Sequence, residues 1–164
     1  WLETMPESVS ASARDFINPG IADVVFANLK YPNGVLVSIH ASWLNPSKAR
    51  DITIVGDKKM LTFDDVDIDQ PVRIYDKQVK ETAESDQMLG TFEHFRTSVH
   101  EGEVSIPAVD KTQPLRNEME HFLDCVEFGK TCESGPEEGE KVVQVLEAIS
   151  SSIRGGREVR MDEI

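Results

Sequence analysis

The chain has 164 residues, 17 of them Lys or Arg and 30 Asp or Glu, for a net charge of −13 at pH 7, with 39% hydrophobic residues. The length suits one domain of ~100–200 residues, read here as 1–164, and the composition is that of a soluble globular chain. The acidic balance argues against nucleic acid and anionic membrane surfaces. No apolar run reaches the ~18–20 residues that span a bilayer.

The first third reads as antiparallel strands. In ESVSASARDF, Val9, Ala11 and Ala13 alternate with serines, the period-2 pattern of a strand with two unlike faces. After a loop with Asn18, Pro19 and Gly20, the segments ADVVFANLKY and VLVSIHASWL flank Tyr31-Pro32-Asn33-Gly34. Pro presets φ early in a turn and Asn-Gly tolerates positive φ, so the pair is expected to form a hairpin. Along its second arm Val35, Val37, Ile39, Ala41 and Trp43 share the stronger core face, and Leu36, Ser38, His40, Ser42 and Leu44 the weaker one. A second hairpin is expected from ITIVG and KMLTFDD around Gly56-Asp57-Lys58, with VRIYD as a further strand. Residues 77–104 are polar, anchored by Phe92 and Phe95, and read as a long excursion with one short helical turn.

The period then changes. Leu115, Met119, Phe122, Leu123 and Val126 fit an amphipathic helix that starts at Pro114 and ends at Gly129-Lys130. Ser134-Gly135-Pro136-Glu137 has capping-box spacing, and Val142, Val145, Leu146, Ile149 and Ile153 form the stripe of a second helix stopped by Gly155-Gly156. REVRM is expected at a sheet edge. Strands first and helices afterwards predict an α+β fold, a mainly antiparallel open sheet with both helices on one face. The other face is left for a partner.

Most motifs with a recognised chemistry are absent from the sequence. There is no glycine-rich phosphate loop, no GxSxG elbow and no Cys/His set at familiar zinc spacing. Asp64, Asp65, Asp67 and Asp69 lack the Gly and Glu of a calcium loop and read as a solvated strand end. Cys125 and Cys132, seven apart across a helix end, are too few for a disulfide framework and read as structural thiols in a reduced, cytoplasmic setting. His121 lies at the edge of the first helix's stripe and is expected to be a hydrogen-bonded boundary residue. His40 suits an interface, and His94 and His100 carry no signal.

Charge supplies one positive pointer. Residues 1–60 hold six basic and six acidic side chains, so the negative charge lies beyond them, and four of those cations (Lys48, Arg50, Lys58, Lys59) fall between positions 48 and 59. A local basic cluster in an acidic protein can hold an anion, although solvated turn residues would look the same. Trp43, Asn45, Lys48 and Arg50 are the candidate ligand contacts: a flat apolar ring and a guanidinium for a carboxylate or phosphate. For Trp43, simple packing in the core competes with that role.

The segment SWLNPSKARDITIVGDKKMLTFDD, residues 42–65, resembles the C-terminal domain of the Gfo/Idh/MocA family of NAD(P)-dependent oxidoreductases. PLRNEMEHFLDCVEFGK and EEGEKVVQVLEAISSSIRGG are similar to that family's closing helices, and Trp1-Leu2 to the end of the helix after its catalytic His motif. The resemblance implies a substrate-binding and oligomerisation domain, closest to members acting on sugars or nucleotide-activated amino sugars, forming a homodimer or homotetramer through the open sheet face. It also implies NAD or NADP held by a Rossmann domain that this sequence lacks. The family's Glu-Lys-Pro and Asp-and-His motifs have no match here, so no catalytic, cofactor-binding or metal residue carries over. The expectation is a fragment inactive alone, or alternatively a non-catalytic oligomerisation or protein-interaction module.

Overall fold

The computed structural model describes residues 2, 4–76, 102–110 and 113–164. The chain divides into two units, Trp1–Pro46 with Pro114–Ile164, and Ser47–Gln113.

In the first unit, β1 (Ser8–Arg14), β2 (Val24–Lys30), β3 (Leu36–Ser42) and β8 (Val159–Arg160) form an antiparallel sheet in the order β3-β2-β1-β8. The hairpin turn is as expected. The Gly34 N–H donates to the Tyr31 carbonyl at 3.0 Å, with Pro32 and Asn33 as the central residues, and Gly34 takes φ 81°. Register places Val9, Leu29 and Val37 in one row and Ala11, Ala27 and Ile39 in the next, so one face is apolar from strand to strand. Helix α2 (Pro136–Gly155) packs on that face, and Val9, Ala27, Leu29 and Ala148 form the buried core. Val145, Ala148, Ile149 and Ser152 recur at helical spacing on the side that meets the sheet, whereas Val142 and Leu146 of the predicted stripe are exposed. Small Ala27 and Ala148 let helix and sheet approach closely.

Ser152, 1% exposed, is the polar exception in this layer. β8 pairs only with Ser8 and Val9, which leaves the rest of that β1 edge without a strand. The Ala11 N–H donates instead to Ser152 Oγ at 2.8 Å, and the same hydroxyl donates to the Arg157 carbonyl at 2.6 Å. Nearby, the Glu158 carboxylate accepts from the Ser8 hydroxyl and from Lys30 Nζ at 3.0 Å, tying the approach to β8 to β1 and β2. Buried Asp23 accepts the Phe16 and Ile17 N–H groups at 2.6 and 2.7 Å and shapes the loop before β2.

In the second unit, β4 (Asp51–Val55), β5 (Met60–Asp64), β6 (Val72–Tyr75) and β7 (Val104–Ser105) form a separate antiparallel sheet. Ile52, Phe63 and Val72 make one cross-strand row and Ile54, Leu61 and Ile74 another. Gly102 precedes β7, and a Cβ there would overlap the Asp76 carbonyl, so the chain returns to β6 only because the position is glycine.

The fold is α+β and antiparallel, as expected, with four differences in detail. Among the described residues there are two sheets where one was expected. Asn45-Pro46 follows β3, and Pro46 has no N–H to continue a ladder. Of the two described helices, one is buried against described strands: α1 (Pro114–Phe128) has no buried residue, and Leu115, Phe122 and Val126 are exposed. The second helix is capped by Gly135, with no side-chain cap from Ser134, and Pro136 supplies its first turn; Gly156, φ 61°, ends it. Strand β7 lies at the end of the stretch read as an excursion, while the helical turn expected there, with Phe92, Phe95, His94 and His100, lies outside the described residues. No described helix is long and apolar enough to cross a membrane.

Replacing Ser152 by Ala leaves the Ala11 N–H and the Arg157 carbonyl without their partner inside a closed layer. Ser152→Ala is expected to lower unfolding free energy by about 1–3 kcal/mol, read from the urea midpoint at unchanged slope. An unchanged midpoint would remove the hydroxyl from the account of the layer.

Candidate functional site

The strand alternation that gives α2 its apolar partner gives the opposite face of the first sheet a different chemistry. Ser10, Asn28 and Ser38 form one row there, and Ser12, Phe26 and His40 the next. The Phe26 and His40 rings stack with centroids 4.5 Å apart and planes 8° from parallel. Phe26 is 53% exposed and Leu36 75% exposed on the same face. At the β1 edge Ser10, Ser12, Phe26, Asn28 and Glu158 line a shallow recess. The surface is therefore a polar sheet with a flat aromatic plate in it, able to present hydroxyl and amide donors beside a ring face.

The residues singled out by sequence divide between the units. Trp43 follows β3 in the first unit, its N–H donating to the Asp23 carbonyl at 2.9 Å and its side chain 86% exposed. Packing in the core is thus overturned for Trp43: the strand ends at Ser42, so the alternation that put the ring inside no longer applies. Asn45 belongs to the same unit. Lys48 and Arg50 open the second unit and are exposed. Arg50 pairs with Asp65 at 3.3 Å, and its carbonyl accepts the Asp65 N–H at 2.9 Å, which fixes the backbone leading into β4. Both members of that ion pair are about half exposed, so it leaves the guanidinium in reach of an anion.

The acidic run has an internal explanation. Asp67 Oδ1 accepts the Gln70 and Asp69 N–H groups at 3.0 and 3.1 Å, its other oxygen meets Arg73 at 2.8 Å, and Asp64 accepts the Val66 N–H at 2.9 Å. These carboxylates organise the turn between β5 and β6. The Gln70 N–H first, then the Asp69 N–H and the Arg73 guanidinium, hold the Asp67 carboxyl below the usual carboxylate range.

His121 is hydrogen-bonded, as expected, with its Nε2 accepting the Glu133 N–H at 3.1 Å. What the sequence reading missed is the Phe26–His40 plate. His40 was assigned to the weaker face, but its partner lies fourteen residues away, and only the hairpin register brings the rings together.

Residues 1–62 match the family model described as GFO/IDH/MocA C-terminal domain, the family recognised from the sequence. Among curated proteins none matches the chain. Solved structures share the fold. Aldose-aldose oxidoreductase from Caulobacter crescentus is 18% identical with a TM-score of 0.67, over 95% of this chain and 41% of its own. UDP-N-acetylglucosamine 3-dehydrogenase GnnA from Acidithiobacillus ferrooxidans is 16% identical with a TM-score of 0.71, over 92% and 41%. The WlbA dehydrogenase from Bordetella pertussis, solved with NADH and UDP-GlcNAcA, is 20% identical with a TM-score of 0.63, over 98% and 40%. The chain thus spans about two-fifths of the length of these structures.

A carboxyl whose folded pKa is depressed adds stability above its unfolded pKa of about 3.9, and that contribution is lost as pH falls through the folded value. Asp67→Ala is therefore expected to melt below the parent at neutral pH. The gap should close in acid, once Asp67 is protonated in the folded parent. Melting curves of both proteins from neutral to strongly acidic pH check this, and a gap independent of pH would contradict it.

Proposed function

For a chain that matches the GFO/IDH/MocA C-terminal domain over residues 1–62, we propose the role of substrate-binding and self-associating domain of an NAD(P)-dependent oxidoreductase acting on a sugar or nucleotide-sugar. The observation that carries this reading is the open sheet face, with serines, Asn28 and the Phe26–His40 plate beside an exposed Leu36. Hydroxyl and amide groups around an aromatic plate suit a polyhydroxylated ring, which has both apolar C–H faces and hydroxyl edges. The exposed Trp43 ring adds a second flat surface. In the second unit, taken by itself, Lys48 and Arg50 offer cationic donors for a phosphate or carboxylate, and Arg50 can meet either bidentately.

The chemical division of labour follows. NAD or NADP, when bound in the whole enzyme, would supply the hydride chemistry. This chain's part is to bind and orient the sugar and to exclude water from the sheet face that carries it. Two of the structures that share the fold support that reading: one is a UDP-N-acetylglucosamine 3-dehydrogenase, and another was solved with NADH and UDP-GlcNAcA.

Three measurements test the proposal. The purified 164-residue protein should show no cofactor-dependent turnover with sugar substrates. In the whole enzyme, Arg50→Ala should raise the KM for an anionic sugar substrate by roughly 10–100-fold, the worth of one charge-assisted hydrogen bond. Unchanged KM and kcat would remove Arg50 from the site. Sedimentation should show self-association that Leu36→Glu abolishes with the secondary structure intact, and a parent that stays monomeric at high concentration would exclude the sheet face as an interface.

A further inference from the structure

Helix α1 ends at Phe128, and Gly129, with φ 63°, turns the chain back along it. Two contacts hold the returning link against the last turns of the helix. Lys130 Nζ donates to Asp124 at 2.7 Å, and the Glu133 N–H donates to His121 Nε2 at 3.1 Å. Between them lies Cys132. His121 and Cys125 are four residues apart and so share one face of α1. Their Nε2 and Sγ atoms stand 3.5 Å apart, and the Nε2, Cys125 Sγ and Cys132 Sγ atoms all lie within 4.8 Å of one another.

We propose that His121, Cys125 and Cys132 form a zinc-type metal site that staples the link after α1 to the helix. The donor set is two sulfurs and one imidazole, which favours soft or borderline ions over calcium or magnesium. The dimensions agree as well. With Zn–S about 2.3 Å and Zn–N about 2.0–2.1 Å, two donors on one tetrahedral ion stand about 3.5–3.8 Å apart. The observed His121–Cys125 separation falls in that range, and Cys132 closes the triangle with a small movement of an exposed loop residue. Three protein donors leave the fourth tetrahedral position to water.

Binding balances simply. The two thiols release two protons as their sulfurs become ligands, and the neutral imidazole gives its Nε2 lone pair. That lone pair now accepts the Glu133 N–H, so the ion exchanges this hydrogen bond for a coordinate bond. The site ties loop to helix, and none of its ligands belongs to the strands that carry the proposed sugar surface. It is independent of the proposed function.

The test uses Co2+ as a spectroscopic substitute for zinc, added to the intact chain under a non-chelating phosphine reductant. A single equivalent should give a sulfur-to-cobalt charge-transfer band with the intense visible bands of a tetrahedral ion, and Zn2+ should displace it. Zn2+ should also raise the melting temperature. Cys132→Ser, at an exposed position, should abolish the charge-transfer band and the thermal shift. His121→Asn should weaken Co2+ binding by at least about tenfold, since even the outer partners of metal ligands are worth about 10–100-fold. No sulfur-to-cobalt band in the parent overturns the proposal, as does a band that survives Cys132→Ser. Unchanged affinity in His121→Asn overturns it too, leaving His121 as a cap for the Glu133 N–H alone.

Discussion

The layer in which α2 lies across β1 and β2 depends on how one strand edge is satisfied. β8 is two residues long, so it can pair with only the start of β1. The next N–H pointing out of that edge, from Ala11, would face the underside of a helix, where an unpaired amide is costly. Ser152 resolves this by accepting from the strand and donating to the chain that leaves the helix. One hydroxyl thereby fixes where α2 sits along β1 and how the segment from Gly156 returns to form β8. The apolar contacts of Val9, Ala27, Leu29 and Ala148 supply the area, but they are non-directional, and small side chains alone could slide.

With α2 committed to one face, the other face is the surface to which we assign the proposed binding. Antiparallel sheets tolerate one wet face, and this one is wet in a particular way. Serines contribute hydroxyls without bulk, and the flat Phe26–His40 pair rises among them. The same surface carries the exposed Leu36, which would gain from a partner as a sugar would from the plate. The proposed binding and self-association would therefore draw on neighbouring parts of one sheet. In the second unit, exposed Lys48 and Arg50 precede a strand whose entry is fixed by Asp65, and the acidic turn closes on itself through Asp67.

Much of this was legible in the sequence, for physical reasons that differ by element. The hairpin at Pro32-Asn33-Gly34 was readable because the turn demands those residues locally. The second helix was readable because Gly156 stops it and its stripe has helical period. Periodicity reports that a helix has an apolar side and says nothing of what covers it, so the stripe of α1 gave no hint that it would remain exposed. Trp43 was misplaced because alternation was extended one residue past the end of a strand. The Phe26–His40 plate, and the convergence of His121, Cys125 and Cys132, depend on register and on a chain reversal at Gly129. A search by familiar zinc-ligand spacing passes over a His-x3-Cys-x6-Cys arrangement whose third member is delivered by a loop.

Core and site are written into the same strands, which constrains how this surface can change. Successive residues of β2 point to opposite faces, so Ala27 is buried under α2 while Phe26 and Asn28 stand in the open. A one-residue slip of β2 would drive Phe26 into the close contact that Ala27 makes possible, and would expose the small side chain in its place. The penalty for such a slip is paid in the core, where overpacking is felt at once, and not at the open face, where serines are interchangeable. Register is thus enforced from the helix side, and the open face inherits a precision that its own polar side chains could not supply. It follows that substitutions on the open face can alter what is bound without disturbing the fold. Substitutions at Ala27 or Ala148, which touch no ligand, would misplace the plate.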